Sequence, residues 1–183
     1  AAMTQEAYDN ANYEDKSQGL VGAGTGATVA KGLGPEHLMK SGLGQASIRK
    51  GDLVVSAIVA VNAFGDIYDY HKGLQIAGPI LDGKMVKTMD YLDQILGSFA
   101  DIKPTNTTIG AVATNATFNK TELTKIAGMA HDGYARSINP VHTMMDGDTI
   151  FSLATNKVKA DINLVGALAA DVMSKACLLY TSP

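Results

Sequence analysis

The segment Pro104-Thr105-Asn106-Thr107-Thr108-Ile109-Gly110-Ala111-Val112-Ala113-Thr114-Asn115 joins a turn to a short apolar run. The proline restricts Lys103 to extended backbone and Asn106 favours a turn, so the first residues are predicted to be irregular. The β-branched and small residues over 107–116 predict a buried strand. The hydroxyls of Thr107 and Thr108 therefore lie where an irregular segment enters a sheet, a place suited to a nucleophile. The β propensity of threonine by itself also explains the pair.

Length and composition indicate one globular domain. The chain has 183 residues, and its apolar fraction of 46% excludes a disordered chain. A net charge of −3 gives no electrostatic argument for nucleic acid or an anionic membrane as a partner. We find no apolar run of membrane-spanning length and no recognisable secretory signal, so we expect a cytoplasmic protein.

Hydrophobic periodicity predicts both strands and helices along the chain. The longest apolar run, Leu53 to Gly65, is rich in β-branched residues and predicts a strand buried on both faces. Helical spacing predicts a helix over 84–100, a second after the cap Asn119-Lys120-Thr121-Glu122, and a last one after the cap Asp161. His131 in the second helix lies near its apolar stripe, which favours a packing role.

The segment from Leu20 to Lys31 is a glycine-rich turn that leads into a strand. Its glycines at 22, 24 and 26 suggest a phosphate-binding loop, but a β-prone stretch follows where a helix N-terminus is needed. An acidic residue for a ribose is also missing at the required spacing. A nucleotide-binding module is therefore the alternative from a different functional class. Gly42 to Ser47 is predicted to be another turn.

Two polar groups fall at the ends of predicted strands. Asn62 either caps a turn before Gly65 or donates its amide into a site. Asp146-Gly147-Asp148 enters the strand Thr149 to Thr155, and Lys157 stands where a calcium loop needs glutamate, so calcium binding is excluded. These acids form either a tight acidic turn or a carboxylate pair that holds and polarises a neighbouring donor.

Together these motifs resemble the self-processing hydrolases of the L-aminopeptidase/D-esterase (DmpA-like) type, in particular the branch that contains the nylon-oligomer hydrolases (NylC). The likeness covers most of residues 18–156 in one order. The motifs that carry it are Val21-Gly22-Ala23-Gly24-Thr25-Gly26-Ala27, Val61-Asn62-Ala63-Phe64-Gly65-Asp66, Asn106-Thr107-Thr108-Ile109-Gly110, Val112-Ala113-Thr114-Asn115-Ala116, Ala130-His131-Asp132-Gly133-Tyr134-Ala135-Arg136, Pro140-Val141-His142-Thr143 and Asp146-Gly147-Asp148-Thr149-Ile150-Phe151.

The resemblance implies a four-layer α/β/β/α sandwich like that of N-terminal-nucleophile hydrolases, present here as a single partial domain. It also implies a precursor that cuts itself between Asn106 and Thr107. Residues 1–106 are then the end of an α chain, and residues 107–183 are the start of a β chain. The free amine of the new N-terminus titrates near 7.7–8.0 and serves as the base for the adjoining hydroxyl.

By the same resemblance, Asp146 and Asp148 orient the amine and hydroxyl of Thr107. Lys31 tunes their protonation, and Asn62 donates to the oxyanion. A cut one residue later would make Thr108 the nucleophile. Members with a serine nucleophile carry Ser and Glu in place of the two acids, so the aspartates favour the NylC-like branch.

The implied activity is hydrolysis of amide bonds, of N-terminal residues or of aminohexanoate oligomers, through an acyl-threonine intermediate. The implied partners are a small peptide or amide-oligomer substrate and further copies of the chain in a homo-oligomer, with no cofactor and no metal. Acyl transfer to an amine, as in the ornithine acetyltransferases that resemble this fold, is the alternative reaction.

Both ends of the sequence suggest a fragment. Residues 1–15 are predicted to be the last part of a helix, and family members are much longer on the N-terminal side. Cys177 to Pro183 resembles the translated read-through of a sequencing adapter. We therefore expect a gene fragment that is truncated at both ends, in which Cys177 is foreign.

Overall fold

The computed structural model describes residues 2–12, 14–97 and 106–179. The strands in chain order are β1 (Thr28–Val29), β2 (Met39–Lys40), β3 (Leu43–Lys50), β4 (Leu53–Ala60), β5 (Asp66–Asp69), β6 (Leu74–Ala77), β7 (Ile80–Leu81), β8 (Lys84–Met85), β9 (Ile109–Ala116), β10 (Ile138–Asn139) and β11 (Thr149–Val158). The helices are α1 (Ala2–Asp9), α2 (Leu92–Gly97), α3 (Lys120–Ser137) and α4 (Ile162–Leu179), with 3-10 turns at Gly22–Gly24, Lys31–Leu33 and Thr88–Tyr91.

The main sheet has the strand order β11-β9-β4-β3. Both β3 and β9 are antiparallel to β4, whereas β11 is parallel to β9. The parallel pair needs a crossover connection, and α3 provides it. As predicted, α3 starts with a capping box between Asn119 and Glu122, and the Asp161 carboxylate accepts from two backbone N–H groups at the start of α4.

Helices α3 and α4 pack together and cover one face of this sheet. Val55, Val59 and Val112 of that face are fully buried. On the opposite face Ile58 is 43% exposed and Phe151 is 62% exposed. The prediction that the Leu53 to Gly65 run is buried on both faces is therefore wrong. The second face of β4 carries Val54, Ile58 and Ala60 beside Ser56, and the described residues leave it uncovered.

The predicted turn from Gly42 to Ser47 is also wrong, because most of it is the first half of β3. Gly44 allows β3 and helix α4 to pack closely at this point. A Cβ at this position would collide with the backbone carbonyl oxygen of Ala176 in α4. The glycine lets the helix lie directly on the sheet, and sequence alone does not distinguish that need from a turn.

The helix predicted over 84–100 is largely wrong. In its described part the chain forms β8, then the 3-10 turn Thr88–Tyr91, and only then the short helix α2. The backbone N–H and the hydroxyl of Thr88 both donate to the buried carboxylate of Asp66, at 2.8 and 2.5 Å. This anchor holds the chain in a turn where a helix would continue. Residues 98–100 and the predicted linker 101–105 lie outside the described residues.

The terminal helices differ from the prediction in length. Helix α1 ends at Asp9 and buries none of its residues. Helix α4 runs through Cys177, which is fully buried, and ends at Leu179. Over the described ranges, each helix is too short or too polar to cross a lipid bilayer.

Candidate active site

The peptide bond between Asn106 and Thr107 lies where the chain enters β9. The carbonyl oxygen of Asn106 accepts from the Gly147 N–H at 2.8 Å and from the Thr107 hydroxyl at 2.7 Å. The Thr107 N–H donates to the backbone oxygen of Asn62 at 3.0 Å. Both sides of this one peptide are thus held by the backbone of distant segments, and the hydroxyl lies against the carbonyl that precedes it.

Thr107 also lines a cavity of about 660 Å³ on the uncovered face of the main sheet. Lys31 and Asn62 contribute its polar groups near the threonine, and Ile58 and Phe151 are among its apolar walls. The glycine-rich turn closes one side through Gly26 and its neighbours. Three of the predicted site residues, Lys31, Asn62 and Thr107, therefore share one cavity.

The Lys31 and Asn62 side chains are bonded to each other. Lys31 Nζ donates to Asn62 Oδ1 at 2.6 Å, and the Thr28 N–H donates to the same oxygen at 3.2 Å. These two bonds fix the orientation of the carboxamide. Burial lowers the pKa of Lys31, and the negative charge of Asp146 opposes that shift. Lys31 follows Ala30, which has a left-handed backbone at φ 61°, a strained geometry that sets the direction of the lysine.

Asp146 holds two loops together. Its carboxylate accepts from the Phe64 N–H at 3.1 Å, and from the Thr143 hydroxyl and N–H at 2.5 and 3.2 Å. Its backbone pairs with Asn106 in an isolated parallel bridge. The acid thus ties the loop before β11 to the segment after β4, next to Thr107.

Asp148 is bonded on both of its oxygens. Oδ1 accepts from the Thr108 N–H at 2.9 Å, and Oδ2 lies 2.9 Å from His142 Nδ1. The side chain of Asp148 is only 3% exposed. In the intact chain this acid therefore holds the residue that follows the predicted nucleophile. Gly147, between the two acids, brings its N–H to the Asn106 carbonyl.

The sequence interpretation gave no role to His142 or Gly147, although both belong to motifs quoted for the family resemblance. The spacing of His142 from Asp148 is six residues along a loop, and such a spacing carries no periodic signal. His142 has a left-handed backbone at φ 55°, which is uncommon for a residue other than glycine and aims the ring at Asp148.

A mixed sheet with two helices packed on one face and a cavity on the other describes an α/β fold of the N-terminal-nucleophile (Ntn) hydrolase class. Solved structures agree. A beta-aminopeptidase from Burkholderia sp. superposes with a TM-score of 0.64 at 21% identity, covering 98% of this chain and 50% of that one. The L-aminopeptidase D-Ala-esterase/amidase of Ochrobactrum anthropi, described as a new variant of the Ntn hydrolase fold, gives 0.64 at 18% identity, with 96% and 47% covered.

The chain belongs to peptidase family S58, whose sequence profile matches residues 1–180. It is 37% identical over 198 residues to an uncharacterized aminopeptidase of Mycobacterium leprae, covering 96% of this chain and 52% of that protein. It is 30% identical over 199 residues to a 6-aminohexanoate-oligomer endohydrolase of Kocuria sp., with 97% and 54% covered. The chain thus spans about half the length of these relatives. The predicted family and fold class are confirmed.

Proposed function

We propose that the protein is a self-processing amidohydrolase in which Thr107 is the nucleophile, first against its own chain and then against substrate. The observation that carries this proposal is the position of the Asn106 carbonyl between the Gly147 N–H and the Thr107 hydroxyl. An intramolecular acyl shift needs a hydroxyl beside the carbonyl carbon that it attacks and a donor for the charge that develops on the carbonyl oxygen, and the Thr107 hydroxyl and the Gly147 N–H both lie against this carbonyl.

In the processing step, Thr107 Oγ1 attacks the carbonyl carbon of Asn106. The negative charge that develops on the carbonyl oxygen is stabilised by the Gly147 N–H. The Asn106–Thr107 C–N bond then breaks, and the hydroxyl proton is transferred to the departing nitrogen. Water hydrolyses the resulting ester and leaves a carboxylate on Asn106 and a free amine on Thr107. Residues 1–106 and 107–183 then belong to separate chains.

In the hydrolytic step the new α-amine serves as the base. It titrates near 7.7–8.0, so a useful fraction is neutral at working pH. It takes the proton of Oγ1, which attacks the substrate carbonyl, and the departing amine receives that proton. Water then hydrolyses the acyl-Thr107 ester. The fixed Asn62 carboxamide is the proposed donor to the oxyanion, a contribution that is commonly about 2.7–4 kcal/mol.

The proposed roles of the charged residues follow from their contacts. Asp146 orients the loop that carries Gly147 and places negative charge near Lys31. Asp148 holds the backbone next to Thr107 through the Thr108 N–H. Because the pKa of Lys31 is lowered, its ammonium can exchange a proton with the site more readily than an exposed lysine.

The proposed substrate is an amide whose acyl portion presents hydrocarbon to the cavity walls. Apolar side chains such as Ile58 and Phe151 form the cavity walls, and the polar groups concentrate near Thr107. An N-terminal residue of a short peptide and an aminohexanoate unit both have this character. The names of the relatives, aminopeptidase and 6-aminohexanoate-oligomer endohydrolase, favour the same class.

The test is the mass of the mature chains of the full-length protein. Wild type should give two chains, of which the second starts with Thr107, and Thr107→Ser should still process. Thr107→Ala should give a single chain with no amidase activity. Processing by Thr107→Ala would overturn the nucleophile assignment.

Thr108 supplies the matched control. Its hydroxyl is buried and accepts from the Asn62 N–H at 3.3 Å. Thr108→Ser keeps that bond and should leave the cleavage site before Thr107. A mature chain that starts at residue 108 would reassign the nucleophile. Assembly of the mature protein as a homo-oligomer is part of the proposal, and light scattering of the same samples tests it.

A further inference from the structure

Beyond Asp148 the hydrogen bonds continue through two histidine rings. His142 Nδ1 lies 2.9 Å from Asp148 Oδ2, and His142 Nε2 lies 3.2 Å from His131 Nδ1 in α3. The two ring centroids are 4.8 Å apart at 63°. His131 of helix α3, His142 and Asp148 therefore form a hydrogen-bonded line that ends at the Thr108 N–H, one residue from the proposed nucleophile.

The chemistry of imidazole restricts how protons can occupy this line. When both rings are neutral, His142 donates from Nδ1 to Asp148, so its Nε2 must accept, and His131 donates from Nδ1. When one proton is added, His142 donates at both nitrogens and His131 Nδ1 becomes the acceptor. A second added proton puts an N–H on both sides of the 3.2 Å contact. The hydrogen bond between the rings is then lost and two positive charges face each other.

We propose that His142 is a positioning residue for Asp148, and that the His131–His142 pair makes the self-cleavage at Thr107 sensitive to acid. This inference rests on the proposed function, because it assigns a regulator to the same site. The Asp148 carboxylate holds the Thr108 N–H only in the orientation that His142 enforces. When the doubly protonated rings separate, that constraint weakens and Thr107 loses its alignment with the Asn106 carbonyl.

The charges around His131 fix the direction of the effect. Burial lowers the pKa of His131 and the neighbouring His142 lowers it further, whereas the carboxylates of Asp148 and Asp132 oppose the shift. The pKa of His131 therefore lies below the ordinary histidine value of about 6.5. Processing is expected to be complete at neutral pH and to decline on the acid side.

The other titratable groups that pack here stay neutral in this range. Tyr134 lies edge-on to His131 with centroids 5.5 Å apart, and burial raises the pKa of its hydroxyl. Burial likewise raises the pKa of the Cys177 thiol on α4. The titration of the pair is thus not masked by these two groups.

The experiment follows processing of the full-length precursor, made by brief cell-free synthesis and then exchanged into buffers from pH 5 to 8. His142→Gly removes the ring without strain at the left-handed backbone position, and should slow processing roughly tenfold or more. His142→Asn suits the same backbone and keeps an N–H for Asp148, so it should restore most of the rate. His131→Asn keeps a donor that does not titrate. The decline of the processing rate on the acid side (the acid limb) should therefore move to lower pH.

His71→Asn is the matched control, because His71 also lies beside an aspartate but on the outside of the site. It should process like wild type at every pH. Wild-type rate and an unchanged acid limb in both His142→Gly and His131→Asn would overturn the positioning role while the proposed function stands. Failure of the wild type to process would overturn both.

Discussion

Replacing Gly147 by alanine tests the proposed geometry at the scissile bond most directly. A Cβ at this position would lie 2.7 Å from Thr107 Oγ1 and 3.8 Å from the Asn106 carbonyl oxygen. Ordinary contact begins at 3.4 Å, so the hydroxyl has to move by about 0.7 Å. Gly147 has no positive φ, and alanine is therefore compatible with the backbone. Displacements of this size in a reacting group cost up to about 10²-fold, so we expect processing to slow roughly 10- to 100-fold.

The assay is the time course of two-chain formation on a denaturing gel, combined with a thermal melt of each variant. Gly128→Ala is the control, since a Cβ at this exposed position of α3 meets nothing within 4 Å. It should process normally and melt at a slightly higher temperature, because alanine in a helix raises the free energy of unfolding by about 0.5–1 kcal/mol relative to glycine. If Gly147→Ala folds and processes at the wild-type rate, the Thr107 hydroxyl does not occupy the position that the mechanism requires.

Three further predictions concern other groups. Lys31→Met should lower kcat for an amide substrate by roughly 10²-fold, measured on an aminohexanoate oligomer; an unchanged kcat would remove Lys31 from the mechanism. Burial raises the pKa of Asp66 from 3.8 to about 6, so stability from this group is present in acid and is lost as pH rises through about 6. Asp66→Asn should flatten that part of a melting-temperature series, and an unaltered slope would contradict it. Asn119→Ala breaks the capping box with Glu122 and should lower the free energy of unfolding by about 1 kcal/mol, read from urea titration, with processing unchanged.

Local sequence signals predicted the elements whose causes are local. The strand that begins near Thr107 is present as β9, and the caps at Asn119 and Asp161 start the two long helices as predicted. At both caps the deciding contacts join residues within a few positions, so the pattern in the sequence contains the physical cause. For β9 the signal is the β-branched composition of the strand itself, although its ladder partners in β4 and β11 are distant.

Predictions failed where a distant partner decides the conformation. The 84–100 periodicity is helical, but the bond of Thr88 to Asp66, 22 residues away, holds the chain in a 3-10 turn ahead of the short helix α2. Glycine at position 44 is typical of a turn, yet Gly44 lies inside β3. The glycine is needed there because the backbone of Ala176 in α4 packs directly against it. Neither partner is identifiable from the neighbouring residues.

The sequence by itself determined the α/β class, the family, the placement of Thr107 at a strand entrance and the choice of Lys31, Asn62, Asp146 and Asp148 as candidate site residues. Only the tertiary structure decided what those residues contact. Asp148 meets the Thr108 N–H, 40 residues away, and Lys31 meets Asn62, 31 residues away. The physical reason is that a side-chain type limits the chemistry available, whereas hydrogen-bond partners depend on which backbone segments the packed sheet and helices bring within about 3 Å.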